Sequence, residues 1–166
     1  STIRDTILSA LEAPNVAGVI EGTDPVLKHE YVVVSAHMDH MGLSPTCKGS
    51  SDKDRICNGA DDDGSGTVGI VELAEAFAQT GARPKRSVLF LGVSGEEKGL
   101  WGSAQFVKNP PVPIQSMVAN LNIDMIGRNW KDTVVAIGMQ HSDLGATLAK
   151  VAGEHPDLGM AAIDDR

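Results

Sequence analysis

This sequence predicts an α/β fold on a mostly parallel sheet, and three observations carry the prediction. Residues 31–36 and 87–93 are short, almost wholly apolar runs, the pattern of strands buried on both faces. Segments with helical spacing follow each of them. Strands that alternate with helices imply parallel neighbours joined by right-handed crossovers.

The elements follow in order. Ile3, Ile7, Leu8 and Leu11 mark a short amphipathic helix. Residues 15–20 read as a strand, stopped by the turn-rich Glu21-Gly22-Thr23-Asp24-Pro25. The buried strand 31–36 leads into a long loop over 38–64, a length that in a compact domain points to function. A helix is expected over 67–79, with Val68, Val71, Ala74 and Ala78 on one face and Ser65 as its cap. After the strand 87–93, a short helix over 100–107 ends at Asn109-Pro110-Pro111. Residues 117–123 are expected as a third buried strand and 133–138 as a fourth. Ser142 can cap a last helix carrying Leu144, Leu148, Val151 and Ala152, and residues 155–166 have no strong pattern. The whole, 1–166, reads as a single domain.

Apolar residues make up 42% and charged residues 22%, which supports a packed core rather than disorder. A formal charge of −8 argues against nucleic acid as a partner, since phosphate binders present a basic face. No apolar run is long enough to span a membrane. Cys47 and Cys57 fit no common zinc spacing. They either close the polar segment 48–56 with a disulfide, the favoured reading and one that implies an oxidising compartment, or remain two thiols.

Four acid-bearing motifs fall at strand ends, where α/β sheets bind ligands. His37-Met38-Asp39 follows the first buried strand. Residues two apart in an extended segment point the same way, so the Asp39 carboxylate can accept the second ring N–H of His37 and leave the other nitrogen for a metal. The alternative is a loop histidine beside an acid. Asp61, Asp62 and Asp63 crowd a glycine-rich turn from Asn58 to Thr67. A calcium loop fails there by register, because with Gly64 as the invariant glycine the first and last ligand positions are Gly59 and Ile70. A carboxylate bridging two cations fits, and so does a solvated acidic turn. Glu96 and Glu97 offer one metal ligand and one proton acceptor, or two acids favouring a helix N-terminus. Asp124 sits at the end of an apolar strand, where an acid needs a partner. Oxygen ligands with one imidazole suit zinc, with manganese and cobalt as alternatives.

The set His37-Met38-Asp39, Gly59 to Gly66, Gly95-Glu96-Glu97-Lys98-Gly99-Leu100-Trp101-Gly102-Ser103 and Asp124-Met125 resembles the M28 family of zinc aminopeptidases. The resemblance covers nearly the whole chain in the family's order. It implies a three-layer α/β/α fold with a mixed, mostly parallel sheet. It implies two zinc ions per complete site: His37 and Asp124 on one, Glu97 on the other, Asp62 bridging, Glu96 as general base and Asp39 orienting His37. It further implies a cis peptide between Asp62 and Asp63 and a peptide substrate with a free N-terminus; the expected setting, with the disulfide, is secreted or periplasmic. Glutaminyl cyclisation on a single zinc and a non-catalytic binding domain are the competing readings. The acidic triplet and the Glu96-Glu97 pair favour two metals and hydrolysis.

The sequence departs from the family at one ligand. The family's fifth ligand is a histidine far downstream, and His29, His40, His141 and His155 match no such motif. The expectation is therefore a peptidase domain missing its C-terminal part, inactive alone, with its second metal position held only by Glu97 and a share of Asp62. A missing segment or another chain would complete it.

Overall fold

The computed structural model describes residues 12–48, 51, 53–79 and 83–164. The helix expected around Ile3 to Leu11 lies outside them. The described chain runs β1 (Val16–Ile20), β2 (Tyr31–His37), β3 (Gly42–Leu43), β4 (Ile56–Cys57), α1 (Gly64–Gln79), β5 (Ser87–Val93), α2 (Trp101–Lys108), β6 (Met117–Asn122), β7 (Thr133–Ala136), α3 (Leu144–Glu154) and β8 (Ala161–Asp164). It divides at Asp124 into two compact units, Ser1–Asp124 and Met125–Arg166.

The first unit is built on a four-stranded sheet in the order β1-β5-β2-β6. β2 is parallel to both β5 and β6, and β1 runs antiparallel on the outside of β5. This is the mixed, mostly parallel α/β sheet expected. Its two central strands are buried on both faces because a helix lies over each. Val33, Leu89, Leu91 and Val93 pack with Phe106 of α2. Val34, Ala36, Val88 and Phe90 pack with Ile70 of α1, and the Phe77 and Phe90 rings meet at 6.2 Å between centroids. Alternation along the strand sends odd residues to one helix and even residues to the other.

Four features differ from the sequence expectation. β6 ends at Asn122 and is mostly exposed rather than buried. Among the described residues it is an edge strand paired with β2 alone, and its α2 side opens into a cavity of about 360 Å³ lined by Phe106, Ile114 and Met117 among others. Helix α1 begins at Gly64, so Ser65 lies within its first turn and its hydroxyl donates to the Asp61 carbonyl at 2.7 Å. The cap is Asp63, whose Oδ1 accepts the Gly66 N–H at 2.9 Å. The fourth strand does not join the large sheet. In the second unit, β7 pairs in parallel with β8, a strand that residues 155–166 gave no pattern for. Its short alternation over Ala161–Asp164 is too brief to stand out without a partner.

In the long loop the two-residue strands β3 and β4 pair antiparallel, and Cys47 is bonded to Cys57. The peptide between Asp62 and Asp63 is cis.

Candidate metal centre

Because β2, β5 and β6 are parallel, their C-terminal ends share one edge of the sheet. His37 is the last residue of β2, Glu96 and Glu97 follow β5, and Asp124 follows β6. Asp62 arrives from the loop that enters α1. The edge is tied together from several sides. The Met38 N–H donates to the Val93 carbonyl at 2.8 Å, and the Thr67 hydroxyl of α1 donates to the His37 carbonyl at 2.7 Å. Asp63 is buried, and its second oxygen accepts the His37 N–H at 3.1 Å. One carboxylate thus links the end of β2 to the start of α1.

Helix α1 also comes very close to the chain beyond β6. A Cβ on Gly66 would lie 2.4 Å from the Ile123 carbonyl oxygen and 2.4 Å from Asp63 Oδ1. Only glycine allows the turn carrying Asp62 to sit against the segment carrying Asp124.

His37 is 3% exposed. Its Nδ1 lies 2.9 Å from the Asp39 backbone carbonyl and 3.8 Å from the Asp39 carboxylate. The ring is therefore oriented by the carbonyl, not by the side chain expected. The Asp39 carboxylate instead accepts the N–H groups of Glu96 at 3.1 Å and Glu97 at 3.3 Å, pinning the turn after β5. A carbonyl only accepts, so Nδ1 carries the hydrogen and Nε2 offers a lone pair. That lone pair faces Asp62 Oδ1 at 3.0 Å and Asp124 Oδ1 at 3.8 Å.

Three acceptors facing one another repel unless a proton or a cation lies between them. The surroundings of His37 favour the proton alternative when no cation is present. Burial pushes its imidazole down, yet the Asp39 hydrogen bond and the charges of Asp63, Asp124 and Glu96 outweigh it and hold the ring above its ordinary value. Asp124 itself is 40% exposed, because it lies two residues beyond an edge strand and not within a buried one.

A second convergence stands beside the first. Glu97 Oε1 lies 2.6 Å from Nδ1 of His40, and His40 Nδ1 lies 3.8 Å from Asp62 Oδ2. His37, Asp62 and Asp124 form one group able to hold a metal ion, and His40, Asp62 and Glu97 form the other. In each, the ligand atoms lie within 4.8 Å of one another. A zinc ion with bonds of about 2.0–2.2 Å reaches such a set with small side-chain movement. Asp62 serves both groups, one oxygen each. The half-buried Glu96 carboxylate takes no hydrogen bond or ion pair among the described residues.

The expected site residues His37, Asp39, Asp62, Glu96, Glu97 and Asp124 therefore meet at one edge of the first unit. Sequence reasoning missed two others. Asp63 carried a readable signal, an acid three residues before Gly66 at a helix start. His40 carried none, since nothing in its spacing from Glu97 suggests that they meet.

The profile of Peptidase family M28 matches residues 15–158. A probable zinc metalloprotease of Pyrenophora tritici-repentis is 42% identical over 111 residues, which cover 61% of this chain and 22% of that protein. A probable glutamate carboxypeptidase of Arthroderma benhamiae is 35% identical over 154 residues, 90% of this chain and 16% of that protein. Among solved structures, the LapA aminopeptidase of Legionella pneumophila superposes with a TM-score of 0.66 at 26% identity, over 91% of this chain and 37% of that one. The chain thus spans well under half the length of these relatives. With the profile matching most of its residues, the sheet agreeing and the acid motifs gathered at one sheet edge, the chain belongs to peptidase family M28.

Proposed function

We propose that this chain carries the catalytic site of a two-zinc aminopeptidase, which hydrolyses the N-terminal peptide bond of peptides. The observation that carries the reading is the division of the Asp62 carboxylate, Oδ1 toward His37 and Asp124, Oδ2 toward the group containing Glu97. In this reading His37, Asp62 and Asp124 hold one ion, while Glu97 and Asp62 hold the other. Zinc, when bound, supplies an acidified water and polarises the scissile carbonyl.

The remaining steps belong to the protein. Glu96 takes the proton of the attacking water and returns it to the leaving amine, a task suited to a half-buried carboxylate with no fixed partner. Asp39 aims Glu96 and Glu97 through their backbone N–H groups. The carboxylates of Asp62, Glu96, Glu97 and Asp124 attract a substrate's free α-amine and repel a terminal carboxylate, which favours attack from the amino end over the carboxyl end. The Cys47–Cys57 disulfide supports a secreted or periplasmic setting.

The test compares aminoacyl substrates with N-acetylated and C-terminal reporters on the zinc-loaded protein. Hydrolysis that needs the free amine is expected. Equal cleavage of acetylated peptides, or release of C-terminal residues, would overturn the aminopeptidase reading.

A further inference from the structure

We propose that Asn15 is a positioning residue for the turn that presents Glu96 and Glu97. The inference rests on the reading of Glu96 as the base and adds what holds that base in place.

Asn15 comes to this edge because β1 runs antiparallel to β5. Val16 lies opposite Gly92, so the chain just before β1 meets the chain just after β5. There the Asn15 side chain forks. Its Oδ1 accepts the Ser94 N–H at 3.1 Å, and its Nδ2 donates to the Gly102 carbonyl at 2.7 Å. Ser94 precedes Glu96 by two residues and Gly102 follows it by six. One amide thus ties together the two feet of the turn. Reversing the amide would set carbonyl against carbonyl and N–H against N–H, so its partners fix its orientation. The Ser94 hydroxyl adds a bond to the Pro14 carbonyl at 2.9 Å. Gly102 is buried, and a Cβ there would run into the Ser94 carbonyl oxygen and Asn15 Oδ1. The absence of a side chain at the start of α2 is what lets the fork close.

Asn15 and Asp39 hold different parts of the same turn. Asp39 accepts the N–H groups of Glu96 and Glu97 near its tip, whereas Asn15 joins its feet. The two acids depend on this frame unequally. As a metal ligand, Glu97 has its carboxylate fixed by the bound ion. The Glu96 carboxylate has no hydrogen bond or ion pair among the described residues, so the backbone alone aims it. Loss of Asn15 should therefore reach catalysis through Glu96 and leave metal content intact. A merely structural role in joining β1 to α2 would show no such preference.

The experiment uses Asn15→Ala and Asn15→Asp. The second keeps an acceptor for Ser94 but turns a carboxylate oxygen on the Gly102 carbonyl. In zinc-free protein, amide hydrogen exchange followed by NMR should quicken at Ser94, Glu96 and Glu97 by roughly tenfold, the factor that one lost hydrogen bond implies. The interiors of β2 and β5 should exchange as in the wild type. In zinc-loaded protein, kcat on an aminoacyl substrate should fall by up to about 100-fold, with KM within a few-fold of wild type and zinc content unchanged. That fall should disappear in a Glu96→Gln background, where the group being aimed is already disabled. Unchanged exchange at the turn, exchange quickened evenly through β2 and β5, or an equal fractional loss of kcat with and without Glu96 would each overturn the role. Near wild-type turnover in Glu96→Gln alone would instead sink the reading of the base, and the exchange result would still decide whether Asn15 holds the turn. If neither variant folds, the wild-type Asn15 amide hydrogens decide. The one given to Gly102 should exchange slowly, and rapid exchange of both would overturn the proposal.

Discussion

The side chains at this sheet edge do unequal work, and two of them separate cleanly by experiment. Glu96 is the proposed base and is no ligand in either group. Glu96→Gln fills the same space but cannot take a proton. Turnover should fall by roughly 10²–10⁴-fold while zinc content stays at the wild-type level, read by steady-state kinetics beside metal analysis. Turnover within a few-fold of wild type would remove Glu96 from the reaction. Asp63 is the opposite case, a buried acid with no proposed catalytic part. Its two oxygens accept the N–H groups of His37 and Gly66. Asp63→Ala strands both donors in the interior and removes the cap of α1. It should cost on the order of 2–4 kcal/mol in denaturant unfolding, from two unsatisfied buried groups, with an unchanged m-value. A loss under 1 kcal/mol would mean that water or a neighbour replaces the carboxylate. Both acids lie in conspicuous clusters, and only the structure tells them apart. The motif marks where acids concentrate, whereas the direction of each depends on the backbone of its turn.

At the scale of elements, the site depends on how closely helix α1 approaches the end of β6. Gly66 is the contact point. Gly66→Ala would ordinarily favour a helix by about 1 kcal/mol. Here the added methyl meets the Ile123 carbonyl and Asp63, and overpacking of this kind costs about 1–3 kcal/mol. The variant should be less stable than wild type in urea, and its first zinc affinity should fall because Asp124 follows Ile123 directly. A stabilised variant with unchanged zinc binding would show that the two segments part without consequence. The strand cores at 31–37 and 87–93 were legible because burial on both faces leaves an unbroken apolar run. The edge strand β6 differs from expectation although Met117, Val118, Ala119 and Leu121 give it an apolar character, broken by Asn120 and Asn122. Whether a strand lies inside a sheet is set by its neighbours.

For the molecule as a whole, the carboxylates gathered at one edge are a standing electrostatic cost that a bound cation offsets. Metal that binds only the folded chain stabilises it by mass action, about 2.7 kcal/mol per site at a free concentration 100 times Kd. Zinc-loaded protein should therefore unfold at higher denaturant than protein stripped with a chelator. Hydrogen exchange should slow on loading in the segments around His37 to His40, Gly59 to Gly66, Ser94 to Glu97 and Asn122 to Asp124. Equal stability with and without zinc would contradict a metal centre built from these residues. By itself the sequence determined the α/β alternation, the two buried strands, the family, and the grouping of the acidic motifs at strand ends. These follow from local apolar periodicity and from the rule that parallel strands finish on one edge. Tertiary structure alone decided that β1 runs antiparallel, that β7 pairs with β8, that Asp39 holds the turn after β5 while its carbonyl orients His37, and that His40 meets Glu97. The reason is physical: past the end of a strand no periodicity constrains where a side chain points. His40 reaches Glu97 only because Gly59, nineteen positions later in the chain, leaves the space for its ring.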